Sequence, residues 1–469
     1  MLAALCMVAA FASAGSAQPY WIPLERPTSQ NLKAVFFADS LRGWAGGDSG
    51  VILSTADGGM TWDVLRGADS VSVTDIFMVD TLRGWAAAIR PLVLPGDWNG
   101  SLLYRTTDGG ASWSEQQYPG QFFNTLFFFD SLNGWLGGET GLILGTTDGG
   151  LSWVAPSIGA SLYSTFPVKR IRFYSRNYGY AVGGYPESAG VIWRTVDGGG
   201  QWKVSGIGDA LRGIHFEDSL NVLFVGGGFD DGACVTRTTN GGGTWSFSYV
   251  GPFGFGTSVA FRGEAEGWVP LGFTGTSMYT PDTGSTWIEY QNDGAIPTYG
   301  VCFADERHGY MVGDSGTVLV YNKPVAVQVG PGWNIVSLPV ETGQVLKDSL
   351  FPSAVSPAYR YAPGGYVVEE TLRTGRGYWL KFLSSEEFDF LGVPRTVDSI
   401  LVEEGWNMIG SLSAPVDVSS VTTVPPGILA SGFFEFGNGY STAALLAPGR
   451  GYWVKVNAAG TIILTSAPD

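Results

Sequence analysis

Carboxylates in glycine-flanked turns are the residues of this chain best placed to do chemistry. Gly47-Asp48-Ser-Gly50, Gly138-Glu139-Thr-Gly141 and Gly313-Asp314-Ser-Gly316 each set one acid between glycines, and Glu187 and Asp231 occupy comparable turns. A longer insertion at residues 89–100 carries Asp97 and Trp98. Acids with aromatic neighbours suit a peptide, a sugar or a cationic partner. Two carboxylates about 5–10 Å apart would also suit glycoside hydrolysis. The plainer reading is that Asp-Ser-Gly is good hairpin chemistry and the acids are solvated turn residues. Lengthened loops on a rigid scaffold more often carry function, which favours Asp97 and Trp98. Asp48, Asp97, Trp98, Glu139, Glu187, Asp231 and Asp314 are therefore the candidate ligand-binding residues.

A second set of acids has a different character. Thr55-Ala-Asp57-Gly-Gly-Met-Thr-Trp62 returns with small changes around Asp108, Asp148, Asp197, Asn240 and Asp282. Glycine there permits the positive φ of a tight hairpin, and the acid can accept bonds from turn amides. Six copies in separate repeats are too far apart to converge on a substrate or a metal. These positions are structural, and no catalytic residue is assigned. With only His215 and His308 in 469 residues, neither a histidine zinc site nor a Ser-His-Asp triad is supported. No metal or cofactor is expected.

The elements that must position these residues come from repetition. An apolar strand, a polar turn and Gly-aromatic recur seven times, as in Phe36-Phe-Ala-Asp-Ser-Leu-Arg-Gly43-Trp44, with steps of 41 to 50 residues between equivalent positions. Several short strands per unit of that length define a β-propeller blade. In the first unit strands are expected over 34–38, 43–47, 51–55 and 61–65, and each unit should supply four. The seventh unit stops near residue 322 with no outer strand. Tyr20-Trp21-Ile22-Pro23-Leu24 resembles Thr61-Trp62-Asp63-Val64-Leu65 and would complete it. The expectation is an all-β protein, with a seven-bladed β-propeller at 18–323 closed by its N-terminal strand.

The six boxes and the Gly-Trp motifs resemble Asp-box (BNR) propellers, and the blade pattern is most similar to the photosystem II stability/assembly factor family. The resemblance covers about 300 residues. It implies a non-catalytic binding or scaffold protein. That family uses an arginine-rich patch for partners, whereas only Lys169, Arg170 and Arg172 cluster here. Sialidases and xyloglucanases carry the same box, so a glycoside hydrolase is the alternative. The sialidase Arg-Ile-Pro motif is absent, because Ile22-Pro23 lacks the arginine.

Beyond residue 323 the pattern changes. Gly332-Trp-Asn-Ile-Val-Ser-Leu-Pro339 returns as Gly405-Trp-Asn-Met-Ile-Gly-Ser-Leu412, and Gly375-Arg-Gly-Tyr-Trp-Leu-Lys-Phe382 as Gly449-Arg-Gly-Tyr-Trp-Val-Lys-Val456. Residues 324–469 thus read as two β-rich units of about 70 residues. Their aromatics serve either core packing or sugar stacking. Residues 1–17 read as a secretory signal, which places the protein outside the cell, in the periplasm or on the cell surface. Cys234 and Cys302 are expected to be buried free thiols. The net charge of −16 argues against nucleic acid and anionic lipid. No segment is apolar and long enough to span a membrane. The expected partner is a protein or glycan, and the expected state is a monomer.

Overall fold

The computed structural model describes residues 20–466, apart from 68, 92–98, 252, 307, 322–324, 343–344, 391 and 438. The signal expected at 1–17 and the insertion residues Asp97 and Trp98 lie outside the described residues. The chain forms two compact units, Trp21–Tyr321 and Asn322–Asp469.

The first unit is a series of small antiparallel sheets in chain order. The first sheet runs Leu32–Phe37, Gly43–Gly47, Ile52–Thr55 and Asp63–Arg66 from its inner to its outer strand. The second, fourth, fifth and sixth repeat this order, with inner strands Ser72–Met78, Val168–Phe173, Leu211–Phe216 and Ala260–Arg262. The last sheet, Thr298–Phe303, Gly309–Gly313 and Val318–Tyr321, takes its fourth strand from Trp21–Pro23. Trp21 pairs with Tyr321 and Pro23 with Leu319.

The third sheet departs from the expected four strands. It holds only Phe123–Phe128, Gly134–Gly138 and Ile143–Thr146, with a single bridge from Gly145 to Val154 where an outer strand was expected. The chain there runs on to Ser157–Ile158, which pairs parallel with Gln201–Trp202 and gives the fourth sheet a fifth strand. Pro156 lacks the N–H that would continue pairing along the third sheet.

Each Asp or Asn turn satisfies itself. The Thr55 hydroxyl donates to Asp57 Oδ1 at 2.8 Å and accepts the Gly59 N–H at 2.9 Å, while Asp57 accepts the N–H and hydroxyl of Thr61. The same pattern holds at Asp108, Asp148 and Asp282, and with amide or backbone partners at Asn240 and Asp197. Hydrogen bonds from the Ser112 and Ser152 hydroxyls, then from their N–H groups, hold the Asp108 and Asp148 carboxyls down at about 2.

The turn is also the contact point between sheets. Trp44 donates from Nε1 to the Gly109 carbonyl of the next sheet at 2.9 Å, Trp85 likewise to Gly149 at 3.0 Å, and Tyr310 from its hydroxyl to Gly58 of the first sheet at 2.8 Å. At Gly199 (φ +88°) an added Cβ would lie 2.2 Å from the Trp135 ring, so only glycine lets the aromatic seat. Where no turn precedes it, the fully buried Trp21 fills the place, edge-on to Trp268 at 5.4 Å. Cys234 is buried and Cys302, expected to be buried, is only half-buried; both are free.

The second unit contains two copies of one sheet. Gly332–Val336, Tyr378–Phe382, Tyr359–Ala362 and Gly365–Val368 lie side by side, and Gly405–Ile409, Tyr452–Val456, Phe434–Phe436 and Tyr440–Thr442 repeat the order. Each copy has its own core, around Tyr378 and around Tyr452.

Trp21→Ala is expected to cost about 3–5 kcal/mol and to lower the urea midpoint of the unfolding step that reports on the first unit, whereas the exposed Leu162→Ala changes it little. A carboxyl held below its unfolded value contributes stability above the ordinary aspartate range and loses it as pH falls through the folded value. Carboxyl NMR titration should therefore place Asp108 near 2, and in Ser112→Ala its titration should move up toward the ordinary range.

Candidate functional site

The turns between second and third strands carry most of the nominated acids. Asp48, Glu139 and Asp314 each open a one-turn 3-10 segment whose middle residue, Ser49, Thr140 or Ser315, has φ of +53° to +57°. The glycines that follow are fixed sterically: a Cβ at Gly141 or Gly316 would lie 1.8 Å from the carbonyl oxygen of Ser164 or Thr28. These turns hydrogen-bond to the segment entering the inner strand, as Asp48 N–H to Asn31 and Glu139 N–H to Phe122 at 2.8 Å each.

The acids themselves are engaged. Asp48 accepts from Lys33 Nζ at 2.6 Å, Ser72 Oγ at 2.7 Å and Asn31 Nδ2 at 3.2 Å. Glu139 accepts from Lys169 Nζ at 2.6 Å and Asn124 Nδ2 at 2.9 Å. Partial burial works to raise both carboxyls, and the lysine and its companions more than offset it, leaving both below their usual range. Burial, and then the nearby Asp314 carboxylate, hold the Tyr299 hydroxyl proton up to about 12. Asp48 and Glu139 therefore hold neighbouring elements together.

The basic cluster is matched in the same way. Lys169 serves Glu139, and Arg170 donates to the buried Asp75 at 3.1 Å. Asp75 also accepts from the Thr125 hydroxyl at 2.8 Å and the Leu126 N–H at 3.1 Å. Arg172 lies 3.9 Å from Asp75, and burial, with the neighbouring Arg170 charge, lowers it to about 10. Three consecutive sheets are joined through this one carboxylate.

A different group forms the open surface. Glu187 and Asp231, from the fourth and fifth sheets, border a cluster that also includes Phe229, Phe253, Phe255 and Phe273. Phe229 and Phe273 meet at 5.8 Å, Phe229 and Phe255 at 5.3 Å, and Phe253 and Phe273 at 5.8 Å. Phe229, Phe253 and Phe273 are 43–58% exposed. Arg212 lies over the Phe255 ring at 4.3 Å. Glu187 accepts from the N–H groups of Phe229 and Asp230 and so shapes that turn. The buried Asp209 accepts the Glu187 N–H at 3.1 Å, and its second oxygen is buried without a protein partner. Asp231 and its neighbour Asp230 are exposed at the rim.

Phe253 and Phe255 are visible in the sequence as aromatics of a connecting loop. Phe229, Phe273, Asp209 and Arg212 are not nominated by sequence reasoning. The available signal was the phenylalanine near the start of two glycine-bounded turns, Gly228-Phe229-Asp-Asp-Gly232 and Gly272-Phe273-Thr-Gly275, which are unequal in length and so do not align.

Chains of known structure share this architecture. Similar folds include "YCF48 bound to D1 peptide" (20% identity, TM-score 0.51, 65% of this chain and 97% of that one). YCF48 from Cyanidioschyzon merolae matches at 20% identity and TM-score 0.51, over 64% and 98%. The Niastella koreensis GH74 enzyme matches at 12% identity and TM-score 0.50, over 81% and 76%. The fold is β-propeller-like. No family model and no curated protein matches the chain.

Removing the buried shared carboxylate leaves the half-buried Arg170 and Arg172 without their counter-charge. Asp75→Ala should cost about 3–5 kcal/mol in denaturant unfolding, while Asp230→Ala, at an exposed position, should stay within about 0.5 kcal/mol.

Proposed function

We propose that Trp21–Tyr321 is a seven-bladed β-propeller of the Asp-box type, its ring closed by the Trp21–Pro23 strand, acting as a non-catalytic binding module outside the cytoplasm. Its partner is a protein segment docked on the Phe229/Phe253/Phe273 surface. Support for closure comes from the pairing of Trp21–Pro23 with Val318–Tyr321 and from the Tyr310 bond to the first sheet. The exposed phenylalanine cluster carries the binding reading: contiguous exposed apolar surface rimmed by polar residues marks interaction sites. Asp230, Asp231 and Glu187 around it favour a partner with apolar side chains and a lysine or arginine beside them. The structure of YCF48 with a D1 peptide is a precedent for peptide binding on a similar fold.

Hydrolysis is less well supported, because Asp48 and Glu139 are committed to lysines. Panning the full chain against random 12-residue peptides is expected to enrich basic–aromatic sequences. Their affinity, read by fluorescence anisotropy, should fall at least ~10-fold in Phe253→Ser/Phe273→Ser with the thermal midpoint unchanged. Peptides that bind the variant equally well would place the site elsewhere. Turnover of a polysaccharide, lost in Asp48→Ala, would replace binding with the hydrolase reading.

A further inference from the structure

The C-terminal unit carries two open cavities whose described lining is aromatic, and each is built by both repeats. One, of about 360 Å³, is lined by Trp406, Phe434, Tyr440 and Trp453 of the second repeat with Tyr361 of the first. The other, of about 380 Å³, is lined by Trp333, Tyr359, Tyr366 and Trp379 of the first with Phe436 of the second. Their geometry matches ring for ring. Trp333 and Trp379 meet at 6.3 Å and 89°, Trp406 and Trp453 at 6.2 Å and 87°. The ring contributed by the other repeat stands 4.8 Å away in both, Phe436 on Trp379 and Tyr361 on Trp453.

Strand alternation produces this arrangement. In Tyr378-Trp379 and Tyr452-Trp453 successive side chains point to opposite sides of the sheet. Tyr378 and Tyr452 enter the cores, where their hydroxyls accept the N–H of Arg373 and Ala447. Trp379 and Trp453 turn the other way and floor the cavities. Trp333 and Trp406 are 42% and 44% exposed at the walls. Core packing would bury such side chains in full, and here large rings are held open to solvent at both symmetry-related places.

The chemistry of the lining selects the ligand. The Nε1 atoms of Trp379 and Trp453, residues more than nine-tenths buried, have no hydrogen-bond partner. A ligand must offer apolar faces to the rings. Among the described residues, no carboxylate lines either cavity. The charged side chain sharing the sheet face in each repeat is a lysine, Lys381 paired with Trp333 and Lys455 with Trp406. A cation is disfavoured by that lysine, whatever the rings offer. We infer that the twin cavities are carbohydrate subsites that stack the pyranose faces of one neutral or acidic glycan chain. Two equivalent subsites make the second contact intramolecular, so affinity should rise with glycan length.

The full chain would be run in native affinity gels containing hydroxyethylcellulose, xyloglucan, glycol chitosan, polygalacturonate or alginate. Hits would be followed with oligosaccharides of increasing length by calorimetry. Retardation by at least one polysaccharide is expected. Trp333→Ala and Trp406→Ala should each weaken it about 10-fold and remove the dependence on length, and the double variant should migrate as if no polysaccharide were present. These two tryptophans are half-exposed, and the circular dichroism of each variant is expected to match that of the parent chain. Migration unaffected by every polysaccharide would overturn the assignment, as would retardation indifferent to both substitutions. Binding of a decaproline peptide or of tetramethylammonium in place of glycans, lost in the same variants, would assign the cavities to another ligand class.

Discussion

The contact between an aromatic side chain and the turn of the following sheet underlies the rest of the first unit. Trp44, Trp85 and Tyr310 hydrogen-bond to a backbone carbonyl one sheet on, and Trp135 lies against Gly199. A small sheet cannot cover its own faces, so neighbouring sheets must pack at a fixed register. The turn supplies that register because its own polar groups are already satisfied by threonine and aspartate. Its carbonyl is left aimed outward for the neighbour. Two consecutive positive-φ residues, both glycine in five of the turns and Thr283-Gly284 in the sixth, are the condition for both parts of this arrangement.

The opposite ends of the same strands are freed for other tasks, and the structure assigns them two. Asp48, Glu139 and Asp75 tie sheets together through lysine and arginine. Around Phe229, Phe253 and Phe273 the surface stays apolar and open. Acidic turns that look alike in sequence thus divide by what stands across from them. Asp48 faces Lys33, whereas Asp230 and Asp231 face solvent.

Much of the sheet order was legible because it is periodic. The Gly43–Gly47 strand matches its expected limits, and Trp21–Pro23 pairs with the strand that lacked a partner. Local departures were not legible: Pro156 diverts the third sheet's outer segment to Ser157–Ile158, whose pairing partner lies more than 40 residues away. The open surface was half legible. Phe253 and Phe255 stand in a connecting loop, but Phe229 and Phe273 come from turns of unequal length, and only folding brings them together. Asp75 escaped notice because it replaces the Ala34 of the first repeat and has no counterpart to align with. The paired aromatic cavities could not be read from either repeat alone, since each borrows one ring from the other.

The two C-terminal repeats meet where Gly377 and Gly451 touch. The Gly377 N–H reaches the Met408 carbonyl at 3.1 Å, the Gly451 N–H reaches that of Ile335 at 3.0 Å, and a Cβ on Gly451 would fall 3.0 Å from the Gly377 Cα. Each repeat thus lends backbone acceptors to the other, so neither can keep this packing on its own. A side chain larger than glycine at either position would press into the other repeat, so the two halves must be accommodated together and behave as one mechanical body at this seam.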